Sequence, residues 1–217
     1  MSWIATKKEA LPDVPGLFLP TTRTEAVERA KLMAGAAGAA IRYRLADHQG
    51  GRDPHAADCA SHWKSPVIGM PYATADCAGF IAWALGFDRY QPTEFATYGG
   101  WVNSDSALID ARTVHQWFEI VQQPLPGDVI VYPSIDLDRD GDRDRVGHIG
   151  LVTAVMPSWQ RDSWGALRVV HCSGGNDRMY KRAIKETTAL PWAGAETYKG
   201  RREARWGSMF LRYRRFA

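Results

Sequence analysis

Cys77 is preceded by an acid and followed by a small-residue, apolar run, Asp76-Cys77-Ala78-Gly79-Phe80. A thiol that attacks carbonyls needs thiolate character, a nearby proton acceptor, and a group that orients the acceptor. Phe80, Ile81, Ala84 and Leu85 recur at helical spacing and predict a helix over about 77–86 with one buried stripe. Thr74 or Asp76 is placed to cap it and Gly86 to end it. The thiol then lies in the first turn, where unpaired N–H groups and the helix dipole favour an anion. The candidate acceptor is His148, at the head of the alternating stretch that follows Gly147. His171 closes another extended stretch, and pairing of the two strands would bring the imidazoles together. Neighbours on a strand face opposite sides. If His171 faces a cleft, Cys172 faces the core, and Cys77 is the reactive thiol.

These residues need elements to hold them. A helix opening at Thr24-Glu25-Ala26-Val27 and running to about Ala40 carries Ala26, Ala30, Met33 and Ala37 on one side. A polar loop spans about 47–65, and a further helix is predicted from Ser106 to Phe118. From Gly127 the period becomes two. Strands are predicted at Asp128–Tyr132, after Pro124 and Pro126-Gly127, at His148–Met156, Leu167–His171 and Met209–Tyr213. On the second of these, His148, Gly150, Val152 and Ala154 share a face. Helices first and strands afterwards, with short connections, predict an α+β domain with an antiparallel sheet. Residues 1–22 read as an irregular arm rich in Pro and turn formers, and 23–217 as a single domain.

At 217 residues, 45% of them apolar and nine of them Trp, the chain is long enough for a sizeable core and unlike a disordered one. No run is long enough to cross a bilayer. The first ten residues show no apolar secretory segment, so the expectation is a chain made in the cytoplasm. It would act on internalised fragments, be released by lysis, or leave by a route that reads no such segment. The net charge of +3 hides an excess of seven positive charges from Lys181 onward, where ten Lys/Arg meet three Glu. The remainder is therefore net −4. An anionic polymer and a solvated strand face are both open readings of that tail, but no nucleic-acid motif accompanies it. Three cysteines, Cys59, Cys77 and Cys172, form no CxxC pair, which argues against zinc and for free thiols. A Cys59–Cys172 bridge is not expected. Of the remaining histidines, His48, His55, His62 and His115 fall at no metal spacing. Trp83, Trp101, Trp117 and Trp164 read as core or cleft lining.

Taken in order, Asp76-Cys77-Ala78-Gly79-Phe80, Pro126-Gly127-Asp128-Val129, Gly147-His148-Ile149-Gly150-Leu151-Val152 and Val170-His171 resemble the NlpC/P60 family of papain-like cysteine peptidases. Ile41-Arg42-Tyr43-Arg44-Leu45, followed by Gly50-Gly51, is similar to that family's approach to its nucleophile. The resemblance spans about 24–172. It implies a papain-like fold, a Cys77 thiolate, His148 as general base and acid, and His171 as orienting group, with Asn176 as a competing orienter. It also implies Tyr43 beside the oxyanion site and Asp76 at a substrate amine. The implied substrate is peptidoglycan or a muropeptide, cut at a stem-peptide amide through a thioester. No cofactor, nucleic acid or membrane span is implied. The chain departs from the pattern in three places. Ala78 stands for a serine, the interval from His148 to His171 is long, and an insertion separates Tyr43 from Cys77. Alternatives are an amidase cutting at the lactyl group, an acyltransferase or transglutaminase-like enzyme, and a catalytically dead wall-binding module.

Between the strands, Asp136, Asp138, Asp140, Gly141, Asp142 and Asp144 follow the D-x-D-x-D-G spacing of calcium loops. Gly147 occupies the place of the bidentate Glu, and Arg139, Arg143 and Arg145 dilute the charge. A weak Ca²⁺ site and a solvated hairpin tip both fit.

Overall fold

The computed structural model describes residues 21–39, 41–43, 74–87, 102–113, 116–134, 146–160, 163–193, 197–198, 201–202 and 208–217. The first helix, α1 (Arg23–Ala34), starts on a reciprocal cap. The Thr22 hydroxyl accepts the Glu25 N–H at 3.2 Å while the Glu25 carboxylate accepts the Thr22 N–H at 2.7 Å. Its buried side is Ala26, Ala30 and Met33, as the spacing predicts. It stops well short of Ala40, because the N–H of Gly35 turns back to the carbonyls of Lys31 and Leu32 and a 3₁₀ turn, Ala36–Gly38, follows.

A two-residue parallel ladder joins β1 (Arg42–Tyr43) to β2 (Thr74–Ala75) and leads directly into α2 (Cys77–Leu85). Asp76, not Thr74, caps α2: its Oδ1 accepts the Gly79 N–H at 2.7 Å. Gly86 ends the helix in the left-handed conformation. Apart from Gly79 every residue of α2 is buried, so the expected stripe is a helix wrapped on all sides. Phe80 and Ile81 are fully enclosed, which stabilises the fold by about 2 kcal/mol for each side chain.

The helix α3 runs Ser104–Arg112, so it ends six residues before the Phe118 of the Ser106–Phe118 reading. Asp110 explains the correction. Its carboxylate accepts the N–H groups of Gln116, Trp117 and Phe118 at 3.3, 3.0 and 2.8 Å, which turns the chain back and opens β3 (Phe118–Val121).

Six antiparallel strands follow the order β3-β10-β4-β5-β6-β7. The others are β4 (Val129–Tyr132), β5 (His148–Val155), β6 (Leu167–Cys172), β7 (Ile184–Thr188) and β10 (Met209–Tyr213). Two minor strands, β8 (Thr197–Tyr198) and β9 (Arg201–Arg202), pair only with each other. The expected α+β class with an antiparallel sheet is therefore present. On one face Val129, Val131, Ile149, Leu151, Val170 and Leu211 join a core with α1 and α2. On the other, Ile130, Val152, Val169 and Phe210 pack with Trp192 from the short helix α5 (Leu190–Ala193). The register slips between Val152 and Ala154. That irregularity takes Ala154 out of the predicted row, and Val155 packs on the second cluster instead.

The sheet's start is pinned by Asp128, which is fully buried. Its carboxylate accepts Arg23 Nη1 at 2.7 Å, Arg212 Nε at 3.1 Å, Arg212 Nη2 at 3.0 Å and the Leu125 N–H at 2.8 Å. Just before it Gly127 holds φ at +94°, and the stem of Arg23 occupies the space a Cβ there would need. Pro126-Gly127-Asp128 thus ties the first helix to the last strand. Part of the positive tail is spent on this and on a pair between Arg214 and Glu119.

Candidate active site

Cys77 is the first residue of α2 and is 6% exposed. The start of that helix is held against the end of β6. The Cys172 thiol donates to the Ala75 carbonyl at 3.2 Å, two residues before Cys77. Cys172 is thus a buried thiol, in no disulfide, with a structural hydrogen bond, on the α2 face of the sheet. Its strand neighbour His171 projects the other way, as alternation requires.

His148 opens β5, and its Nε2 lies 2.8 Å from Nδ1 of His171. One ring donates and the other accepts, with the planes nearly perpendicular at 84°. His171 is 7% exposed. Asn176 sits behind it on α4 (Gly174–Tyr180), whose cap is the Ser173 hydroxyl. The Asn176 amide nitrogen donates to the carbonyls of His171 at 3.4 Å and Ala183 at 3.3 Å. Those two contacts use its two hydrogens, so its 3.5 Å approach to His171 Nε2 adds no further bond. His171 is therefore the group that touches His148, and Asn176 braces His171.

Both imidazoles stand on the sheet face away from α2. Trp192 stacks on His148 with ring centres 5.4 Å apart and planes at 24°, and meets His171 edge to face at 4.9 Å and 81°. Tyr132 adds a tilted ring 5.9 Å from His148. The sequence reading missed Trp192. It lies 44 positions beyond His148 in a four-residue helix, and only its Leu-Pro-Trp setting just after a strand marked it locally.

Tyr43 is half-buried, with its ring against Gly174 just past the end of β6. Burial raises its phenol far above the ordinary value, and the charges of Cys77, Asp76, Cys172 and Tyr132 push it the same way. The Tyr43 hydroxyl therefore stays protonated and is available as a donor near the start of α2. Asp76 is buried, with one carboxylate oxygen committed to the Gly79 cap.

The first residues of the arm, Arg44 and Leu45, Gly50-Gly51, Cys59, Trp101, the histidines His48, His55, His62 and His115, and the acidic run Asp136, Asp138, Asp140, Asp142 and Asp144 lie outside the described residues. Among the described residues no group of three His, Cys, Asp or Glu is placed to hold a metal, and no helix is long and apolar enough to cross a membrane.

Burial disfavours the charged imidazole at both sites. His148 is pushed well below 6.5 by burial and then by His171; His171 is lowered to about 4 by burial. A histidine lowered on folding leaves the unfolded chain as the better proton binder in acid. Its contribution is complete above about pH 6.5 and is lost as pH falls toward about 4. For His171 the difference between 6.5 and about 4 is worth roughly 3 kcal/mol. Stability is expected to fall by roughly 2–3 kcal/mol from pH 7.5 to pH 4.5, and less in His171→Gln. Urea midpoints at the two pH values measure it, and equal losses in both proteins would count against the buried neutral pair.

Compared with models of known protein families, the sequence matches none, and no curated protein matches it.

Proposed function

We propose that this protein is a papain-like cysteine hydrolase of the NlpC/P60 type that cleaves a stem-peptide amide of bacterial peptidoglycan. The observation that carries the reading is the 2.8 Å contact between His148 Nε2 and His171 Nδ1, at the sheet end where the helix bearing Cys77 begins. A thiol at a capped helix start, a paired imidazole and a protonated phenol are the three kinds of group that acyl transfer requires.

With His148 Nε2–H donating to His171, the Nδ1 lone pair is left to take the Cys77 proton. The imidazole stands on one side of the sheet and the thiol's helix on the other, so the reading requires the two groups to reach each other past the strand ends. Cys77 Sγ attacks the carbonyl carbon, and the oxyanion is held by the Cys77 N–H and the Tyr43 hydroxyl. His148 then passes its proton to the leaving amine, giving the thioester. It next takes a proton from water, whose oxygen displaces sulfur and releases the carboxylate. Because both imidazoles are neutral near pH 7, His148 acts as a general base from the outset and the thiol is not stored as an ion pair.

Digestion of purified sacculi with mass analysis of the products tests the reading. Stem-peptide fragments with a new carboxylate and a new amine are expected. Intact peptides freed at the lactyl group would make it an amidase, and transfer to an added amine would make it an acyltransferase. Binding without products would leave a wall-binding module.

A further inference from the structure

The rings around His148 form a closed set on one face of the sheet, and one of them has no part in the chemistry outlined above. Trp192 is almost fully buried, yet its Nε1–H has no acceptor among the described residues. A buried donor left unpaired is uncommon and points to a constraint stronger than its own satisfaction. The constraint is visible in what the ring touches. Its face lies along His148 and its edge meets His171.

The surrounding chain is arranged to bring the indole there. The carbonyl of Trp192 accepts the Ser208 hydroxyl at 2.8 Å, and its N–H returns to the Ala189 carbonyl at 2.9 Å. On β5 the residue between His148 and Val152 on this face is Gly150. A Cβ there would sit 2.6 Å from Val169 Cγ1, 3.2 Å from Trp192 Cζ2 and 3.3 Å from the His171 Cβ. The missing side chain is the notch through which the indole reaches both imidazoles.

We propose that Trp192 is a positioning residue. Its face fixes the plane of His148 so that Nε2 stays on His171 Nδ1 and Nδ1 is the nitrogen left for the thiol. A half-turn of an imidazole about Cβ–Cγ puts carbons where its nitrogens were, which would take Nε2 off His171, and a hydrogen bond alone does not restrain rotation about its own axis. The flat indole stacked on His148 obstructs that turn, and the tilted ring of Tyr132 adds a further contact. The inference rests on the hydrolase reading for its consequence but on the ring geometry for its substance.

The test uses ¹⁵N-histidine spectra, which report the tautomer of each ring, alongside kinetics on sacculi. In the native protein His148 is expected as the single Nε2–H tautomer. Trp192→Leu keeps an apolar cover without a flat face; it is expected to mix the two tautomers and to lower kcat about tenfold with KM nearly constant. Trp192→Phe restores a flat ring, and the single tautomer is expected to return. Should Trp192→Leu not fold, Trp192→Met is read in its place. An unmixed His148 tautomer in the folded Leu or Met variant would overturn the proposal, as would mixing that Phe does not reverse. Cys77→Ala examined in parallel separates the two ideas. If it cleaves sacculi like the native protein, the hydrolase reading fails, while the tautomer result stands or falls by itself.

Discussion

Cys77→Ala is expected to release no fragments from sacculi, a loss of roughly a thousandfold or more in kcat/KM, while the protein stays folded. The proposed nucleophile has no substitute at that position: Cys172 lies on the core side of β6 with its thiol on the Ala75 carbonyl. The structural cost is small. The side chain loses one heavy atom at a 6% exposed site, worth about 1 kcal/mol by burial of a methylene-sized group. Product masses from digests with equal amounts of folded native and variant protein measure the effect, with circular dichroism as the control. His148→Ala should show the same loss for a different reason, the missing proton acceptor. Turnover by Cys77→Ala at even a tenth of the native rate would end the thioester mechanism.

Asp128→Ala is expected to cost about 3–5 kcal/mol of folding stability, the range for breaking a buried, hydrogen-bonded charge pair. Two guanidinium groups and a backbone N–H converge on that carboxylate. Both arginines retain some contact with solvent, with side chains 31% and 29% exposed, which places the outcome toward the lower end. For a chain of this size the change corresponds to a melting temperature lower by roughly 10 °C. Calorimetry decides it, and a shift under about 2 °C would mean that the arginines re-pair at little cost. The double replacement of Arg23 and Arg212 should lose less than the sum of the single losses, since all three groups share one site.

Much of the framework was readable from local chemistry. Asp76 and Gly86 bracket α2, Pro126-Gly127 announces β4, and alternation from His148 and from Leu167 marks β5 and β6. These signals lie within a few residues of what they control. Failures came where a distant or tertiary contact decides the outcome. The carboxylate of Asp110 converts the predicted end of α3 into a turn and a strand. Gly35 cuts α1 short although the alanine pattern runs on past it. The strand β7, Ile-Lys-Glu-Thr-Thr, is mostly polar and borders the sheet, so its pairing with β6 was hidden in a charged tail. The helix α4 begins Gly174-Gly175 and carries no apolar period. At the site, the two histidines were legible because each lies at or next to the end of a strand. The indole across them was not, because nothing near Trp192 in the sequence refers to residues 148 or 171.

The sheet order has a bearing on how the molecule is made. β10 lies between β3 and β4, which precede it by some 80 to 90 positions and are themselves not neighbours. Until residues 209–213 have left the ribosome, those two strands each keep an open backbone edge, and the Asp128 carboxylate still awaits its second arginine. The sheet therefore closes only when β10 arrives, and the chain before that point carries edges that can pair with its own kind.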